Sequence, residues 1–272
     1  MTKFIGFCLA ALGLFSALTT LSPVSAETLK VGGTGAATEM LRHIAPAFEA
    51  ETGVALQVIP SLGTSGANAA VTDGVLGISV GGRDLKKNEA EKGLTVAATF
   101  RTPFGLVTSR PGPDSLKSAE IADLYRADRP SWPDGTPILI VLRPADESDN
   151  ALLGKFFPGM SEAIKHARTR SDLSLAGSDQ DNADMAEKVK GSLVGASLTQ
   201  ITTEKRNLRF VAIDGVPPSL ESYENGSYPY AKTLYLVVPA KIGPEAAAFL
   251  SFIATPAGES LLRKAGIIPG VQ

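Results

Sequence analysis

Residues 28–53, TLKVGGTGAATEMLRHIAPAFEAETG, carry the clearest structural pattern in this chain. A short apolar strand over Leu29–Val31 leads into a turn rich in glycine and threonine. Apolar side chains then recur at helical spacing over Glu39–Ala50, and Gly53 ends the predicted helix. Such a turn presents unpaired backbone N–H groups at a helix N-terminus, where the helix dipole also favours negative charge. The stretch therefore predicts a strand–turn–helix unit with an anion site at its turn.

A second unit of the same kind follows directly as VALQVIPSLGTSGANAA, residues 54–70. The apolar run Val54–Ile59 predicts a strand, and a helix is predicted over Gly66–Asp73. The turn between them again carries glycines and hydroxyl side chains. Two donor turns in a chain without a visible catalytic constellation indicate a protein that captures an oxyanion and does not transform it.

The remainder of the chain continues to alternate strand and helix patterns. Strands are predicted over Val75–Val80, Thr95–Phe100, Gly105–Thr108, Ile138–Leu142 and Leu234–Val238, and an apolar helix over Pro244–Ala254. Alternation of this kind implies an α/β fold in which helices cover both faces of a sheet.

The N-terminal segment, residues 1–26, has the pattern of a secretory signal. Lys3 gives it a positive start, Phe4–Leu21 is an almost continuous apolar run, and small residues lead up to Ala26. We expect cleavage after Ala26 and a periplasmic protein; a membrane-spanning helix is the alternative. The single cysteine, Cys8, lies in this segment, so the exported chain would fold without disulfides.

Composition excludes several functional classes. The formal net charge of −2 gives no reason to expect nucleic acid or an anionic membrane surface as a partner. With two histidines and no cysteine beyond the signal segment, the chain offers no ligand set for a soft metal. The turn GTGAAT lacks the third glycine of a dinucleotide fingerprint, so no cofactor is expected.

Arg143 and Arg83 are candidate ligands because each follows a predicted strand closely. In open α/β sheets, ligands bind at the carboxyl ends of the strands, where an arginine can hold an oxyanion with two hydrogen bonds. The alternative for Arg143 is a surface ion pair with Asp146 or Glu147.

The second turn, GTSGA, also invites comparison with the nucleophile elbow of serine hydrolases. Ala67 stands where the last glycine of that motif would be, and neither histidine has a triad-like context. We interpret Ser65 and Gly66 as hydrogen-bond donors, and an exported hydrolase that uses Ser65 is kept as an alternative.

Several stretches, in order along the chain, resemble the periplasmic phosphate-binding proteins of ABC importers, in the type II solute-binding superfamily. They cover most of the chain beyond the signal segment, and NGSYPYAKTLYLVV is the most specific of them. The others are GGTGAAT followed by FEAETG, then SLGTSGA, GISVGGRDLKKNE, SAEIADLYRADRPSWPDGTPILIVLR, LVGASL and AIDGVPPS.

The resemblance implies a two-lobed α/β protein of the type II class, in which each lobe is a mixed sheet flanked by helices. Two chain crossings, near Thr102-Pro103 and Gly226–Pro229, would join the lobes. Lobe 1 would then comprise residues 27–104 and 226–272, and lobe 2 residues 105–225. The protein would be a monomer that captures inorganic phosphate or a related oxyanion and delivers it to the permease subunits of an ABC importer.

The resemblance also implies which residues contact the ligand. Lobe 1 would contribute Thr34, Gly35 or Thr38 from the first turn, together with Ser65 and Gly66 from the second. Lobe 2 would contribute Arg143 and Ser148, with Asn150 as a further candidate.

The chain departs from the family where Ser148-Asp149-Asn150 replaces a Ser-Gly-Thr run. Asp149 thus stands in place of a glycine that would let the backbone approach the ligand closely. This acidic stretch keeps a further interpretation open, in which a binding fold has lost its ligand and serves as a sensor or an interaction module.

Overall fold

A computed structural model describes Met1 and residues 27–60 and 62–270 of the 272-residue chain. The signal peptide predicted over residues 1–26 lies outside the described residues apart from Met1. Within the described part, no helix is both long enough and apolar enough to cross a membrane.

The strands are numbered in chain order. They are β1 (Thr28–Gly33), β2 (Ala55–Ile59), β3 (Ile78–Gly81), β4 (Leu94–Thr108), β5 (Ser115–Leu116), β6 (Leu139–Leu142), β7 (Ser174–Leu175), β8 (Ser192–Ser197), β9 (Arg209–Phe210), β10 (Ala212–Ile213), β11 (Ala231–Pro239) and β12 (Ile268–Pro269).

The helices are numbered in the same way. They are α1 (Gly35–Thr52), α2 (Gly63–Thr72), α3 (Lys87–Ala90), α4 (Ile121–Arg126), α5 (Ser148–Phe156), α6 (Met160–Ala167), α7 (Asp179–Lys188), α8 (Leu198–Thr203), α9 (Leu220–Glu224), α10 (Pro244–Ile253) and α11 (Pro256–Lys264).

The main sheet is mixed, with its strands in the order β2-β1-β3-β11-β4-β8-β6-β7. β1 pairs in parallel with β2 and β3, and β8 pairs in parallel with β6. Antiparallel pairing of β11 with β3 and β4, and of β4 with β8, joins the two parallel parts. The mixed α/β fold predicted from the sequence is confirmed.

β4 is longer than the sequence pattern suggested. We predicted separate strands over Thr95–Phe100 and Gly105–Thr108 around Pro103, whereas the structure has one strand of 15 residues. Pro103 lies where β4 leaves β11 and begins to pair with β8. A proline lacks the N–H that a continuous ladder would require, and a change of partner strand is a place where that loss is tolerated.

Two groups of buried side chains form the main cores. One contains Phe48, Phe100 and Phe249, and packs α1, α10 and α11 against the sheet of β1, β3 and β11. The other is built around Trp132 and Phe157, from the second half of β4 and from the chain between β4 and β11. This division agrees with two lobes; the lobe boundaries themselves stay a prediction.

Phe48 tests how far stability depends on the first core. Its side chain is fully buried, with ring centroids 5.2 and 5.6 Å from those of Phe249 and Phe252. Phe48→Ala should lower the free energy of unfolding by about 3–5 kcal/mol in urea titrations, because it leaves a cavity. Val75→Ala, at a side chain 59% exposed, is the control. Equal losses in the two variants would contradict the assignment of this core.

Candidate functional site

The N-terminus of α1 is the first part of the site. Thr34 precedes the helix in an extended conformation, and its own side chain makes no capping hydrogen bond. The first turn of the helix contains no acidic residue. The backbone N–H groups at this end and the positive end of the helix dipole therefore depend on a partner from outside the helix.

The partner is the carboxylate of Asp179, which lies at the start of α7. Its Oδ2 accepts hydrogen bonds from the N–H of Ala36 at 2.9 Å and from the Thr34 hydroxyl at 3.2 Å. Its Oδ1 accepts a hydrogen bond from Arg143 Nη2 at 2.9 Å. One buried carboxylate thus joins the N-terminus of α1 to the guanidinium of Arg143.

Arg143 is buried directly beyond the C-terminal end of β6, with 7% of its surface exposed. Besides Asp179, its guanidinium donates to the carbonyl of Ala176 at 2.8 Å and lies 3.6 Å from the Glu147 carboxylate. Among the described residues, Arg143 Nε has no hydrogen-bond partner. The predicted position of Arg143 at a strand end is therefore observed, and the guanidinium faces carboxylates.

The surroundings keep Asp179 ionised. Burial by itself favours the neutral acid, but the positive charges of Lys232 and Arg143 outweigh it. The hydrogen bonds from Ala36 and Thr34 act in the same direction, so the pKa of Asp179 lies below its ordinary value.

Lys232 on β11 forms the second ion pair of the site. Its side chain is 1% exposed, and Nζ lies 2.5 Å from Oδ1 of Asp149 in the first turn of α5. Burial alone would lower the pKa of Lys232, but the carboxylates of Asp149 and Asp179 reverse that effect and raise it. The ammonium group therefore stays charged.

Glu147 is the acidic group of the site without a strong partner. Burial, and then the negative charges of Asp179 and Asp149, raise its pKa above the ordinary value. Its Oε2 is buried and has no hydrogen-bond partner among the described residues. Protonation of Glu147 would relieve both the repulsion and the cost of burying a charge.

Two glycines allow the elements around the site to approach closely. A Cβ atom on Gly35 would lie 2.8 Å from the Asp179 Cβ, and one on Gly82 would lie 3.0 Å from Ser148 Oγ and 3.2 Å from Lys232 Cε. Larger residues would push these elements apart. The start of α7 therefore packs closely against Gly35, and Ser148 and Lys232 pack closely against Gly82.

The second predicted turn forms a separate polar cluster. Ser65 Oγ accepts a hydrogen bond from Arg83 at 2.9 Å, and Arg83 makes two 2.8 Å contacts with Glu89. The hydrogen bond from Arg83 is the main cause that lowers the pKa of Glu89 to about 2. Thr64, next to Ser65, accepts from the N–H of Gly82 at 2.9 Å, which links this turn to the end of β3.

The predicted ligand residues thus divide into groups. Thr34, Gly35, Arg143 and Ser148 lie at or beside the buried ion pairs, whereas Ser65 and Gly66 are exposed and Ser65 contacts Arg83. The remaining three are engaged locally: Arg83 pairs with Glu89, the Thr38 hydroxyl donates to Thr34 O at 3.5 Å, and Asn150 Nδ2 donates to Pro144 O at 2.6 Å. Their contact with a ligand stays a prediction.

Sequence reasoning missed Asp179 and Lys232. Lys232 could have been found, because it shares the alternating face of β11 with Leu234 and Leu236, which are buried. A lysine on the buried face of a strand requires an acidic partner. Asp179 gives no such signal, because an acidic residue after Ser178 at a helix start is an ordinary surface pattern.

Loss of Lys232 should destabilise the protein strongly. Lys232→Met leaves Asp149 buried without its cation and should lower the free energy of unfolding by about 3–5 kcal/mol in denaturant titrations. Adding Asp149→Leu should restore most of the loss. Lys165→Met is the matched control, since Lys165 pairs with Glu162 at the surface with 71% of each side chain exposed. A double variant as unstable as the single one would contradict the pairing.

Glu147 should make stability fall as the pH rises. Because its pKa is raised in the folded protein, the folded state holds this proton at pH values where the unfolded chain has released it. Stability is then lost between the ordinary carboxyl pKa and the raised one. Glu147→Gln lacks this titration, so its free energy of unfolding relative to wild type should increase with pH in that window. Parallel profiles, such as those expected for the exposed control Glu162→Gln, would contradict the prediction.

Comparisons with known proteins give a family and a fold. The model of the PBP superfamily domain matches residues 19–257. A comparison with curated proteins finds no match. Solved structures match this chain at low sequence identity, and this similarity shows the fold alone.

One similar structure is described as a phosphate ABC transporter substrate-binding protein from Clostridium perfringens, with bound phosphate. It is 18% identical, the match covers 90% of this chain and all of that one, and the TM-score is 0.76. An ABC-type phosphate transport receptor from Vibrio cholerae is 13% identical, with 90% and 100% coverage and a TM-score of 0.61. The periplasmic molybdate-binding protein of Azotobacter vinelandii is 13% identical, with 89% and 100% coverage and the same TM-score. Together with the two-lobed α/β architecture, the family match over most of the chain shows that this protein belongs to the PBP superfamily.

Proposed function

We propose that this protein captures an inorganic oxyanion, phosphate above all, between its lobes. The observation that carries the proposal is the convergence of donors from the N-terminus of α1 and from Arg143 on one buried point. The Asp179 carboxylate lies at that point, and the charges and hydrogen bonds around it lower its pKa, which supports a position suited to negative charge.

The donors suit a dehydrated oxyanion. Phosphate presents acceptor oxygens on all sides, and each one that is buried needs a hydrogen bond or a positive charge. The Ala36 N–H and Thr34 hydroxyl supply one side, and Arg143 supplies the opposite side with a guanidinium that can hold two oxygens. Arg143 Nε is buried and donates no hydrogen bond to any described residue, so it is a further donor that an anion could use.

The relatives support this assignment. The similar Clostridium perfringens protein was solved with phosphate, and the Azotobacter vinelandii protein binds molybdate, another oxyanion. We further propose that residues 1–26 direct export to the periplasm and that an ABC importer permease receives the ligand. No catalytic step is part of the proposal.

A second candidate function is a sensor or interaction module that has given up ligand binding. The carboxylates of Asp149, Asp179 and Glu147 at the site favour it, because an incoming anion meets negative charge there. The hydrolase alternative has less support. Ser65 accepts a hydrogen bond from the Arg83 guanidinium, which cannot act as a general base.

Ligand screening tests the proposal on the chain from residue 27 onward. Phosphate should raise the melting temperature and give a saturable binding heat, because a ligand present at 100 times its Kd stabilises the folded state by about 2.7 kcal/mol. Sulfate, molybdate, tungstate and a phosphonate serve as the comparison anions. A screen in which no anion shifts the melting temperature would favour the sensor or interaction module.

Arg143 should be required for that response. Arg143→Gln removes a charged donor from a buried site and should weaken phosphate binding by about 1.5–3 kcal/mol in calorimetry. Arg129→Gln, at an exposed arginine of the same lobe, should leave binding unchanged. Equal affinities for the two variants would remove Arg143 from the site.

A further inference from the structure

We propose that Asp179 is an internal ligand of the cleft: its carboxylate occupies the anion position and holds the two lobes shut, so the captured anion must displace it. We call this contact the Asp179 latch. The proposal rests on the proposed function for the identity of the displacing anion, but the closure itself can be tested without any anion.

The latch crosses between elements of different lobes. The backbone of Asp179 is held on the side of lobe 2, because its carbonyl accepts a hydrogen bond from Gln200 on α8 at 2.9 Å. Its side chain reaches α1 of lobe 1, where it binds Ala36 and Thr34. These hydrogen bonds therefore join residues that are more than 140 positions apart in the sequence.

Gln180 reinforces the latch. Its Nε2 donates to the carbonyl of Gly35 at 3.1 Å and to Glu204 at 2.7 Å. The first two residues of α7 thus both dock on the first turn of α1, and the absence of a side chain on Gly35 makes the approach possible.

The latch and an oxyanion require the same donors. Asp179 already uses the Ala36 N–H, the Thr34 hydroxyl and one arm of Arg143. Those donors cannot bind a second anion in the same place, and two negative charges within contact distance repel each other strongly. The ligand therefore replaces the carboxylate and does not bind beside it.

The charges at the site fit this exchange. In the latched form, Asp179 and Asp149 balance Arg143 and Lys232. When Asp179 leaves, the helix N-terminus loses its negative partner and Arg143 keeps only the 3.6 Å contact with Glu147, while Lys232 remains paired with Asp149. The vacated position then suits an anion with more charge and more acceptor oxygens than a carboxylate, as phosphate has.

The latch also sets the affinity. If only a fraction of the molecules is open, the apparent affinity for the ligand falls by that fraction. An ordinary helix cap would not have this effect. Removing a cap would cost stability but would leave the relative position of the lobes unchanged.

Two variants open the latch by different means. Asp179→Asn keeps the shape of the side chain and removes its charge, whereas Gly35→Ala keeps all charges and forces the start of α7 away. Gly35→Ala also favours helix formation at that position. The test therefore remains valid if Asp179→Asn does not fold. Asp181→Asn is the matched control, because Asp181 is an exposed acid two residues along on the same helix.

Small-angle X-ray scattering of the chain from residue 27 onward, in phosphate-free buffer, measures the opening. We expect a larger radius of gyration for Asp179→Asn and Gly35→Ala than for the wild type and Asp181→Asn, with melting curves confirming that all four are folded. Unchanged radii in both opened variants would overturn the latch.

Calorimetry with inorganic phosphate then separates the two proposals. If the wild type is open in one molecule in ten, Asp179→Asn should bind phosphate about tenfold more tightly than wild type or Asp181→Asn. Weaker binding by Asp179→Asn would overturn the displacement, since Asp179 would then contact the bound anion. If neither the wild type nor the opened Asp179→Asn variant binds phosphate, the latch stands and the proposed function is refuted.

Discussion

The constraint on which the site depends is the need of α1 for a negative partner at its N-terminus. The helix starts directly after β1, has no acid in its first turn and is not capped by Thr34. The Ala36 N–H in its first turn faces the start of α7, where Arg143 also needs a counter-charge. A single anion between them satisfies both, and the protein places the Asp179 carboxylate there. The close approach of α7 to α1 at Gly35 follows from this contact, and the charges of Lys232 and Arg143 keep Asp179 ionised.

Much of the fold could be predicted because it depends on local patterns. The strand–turn–helix units at residues 28–53 and 54–70 and the position of Arg143 after an apolar strand are all visible in the structure. Helix α1 starts four residues before the predicted Glu39, since the small residues of the turn carry no amphipathic signal. Donors at helix starts and strand ends are properties of single elements, so a sequence pattern can predict where they lie.

The partners of those donors could not be predicted in the same way. Asp179 meets Ala36 only through the packing of α7 against α1, and no periodicity connects positions so far apart. The role of Lys232 could have been predicted, because a lysine among the buried residues of β11 indicates a buried acidic partner. Asp149 was singled out as a departure from the family pattern, and its role becomes clear only beside Lys232. The candidate site is thus a set of predicted donors whose charges are balanced by partners that tertiary packing supplies.

The long strand β4 runs through both halves of the molecule, and this affects how the protein unfolds. This one strand contributes Phe100 to the first core and Phe104 to the second, and β11 is hydrogen-bonded to it up to the same point. A cut between the two halves would therefore divide β4. Melting one half would remove hydrogen bonds from the other, so we expect the two halves to unfold together. The hydrogen bonds between β4 and β11 also resist rotation of one half against the other. The halves must therefore separate by bending and twisting of these paired strands.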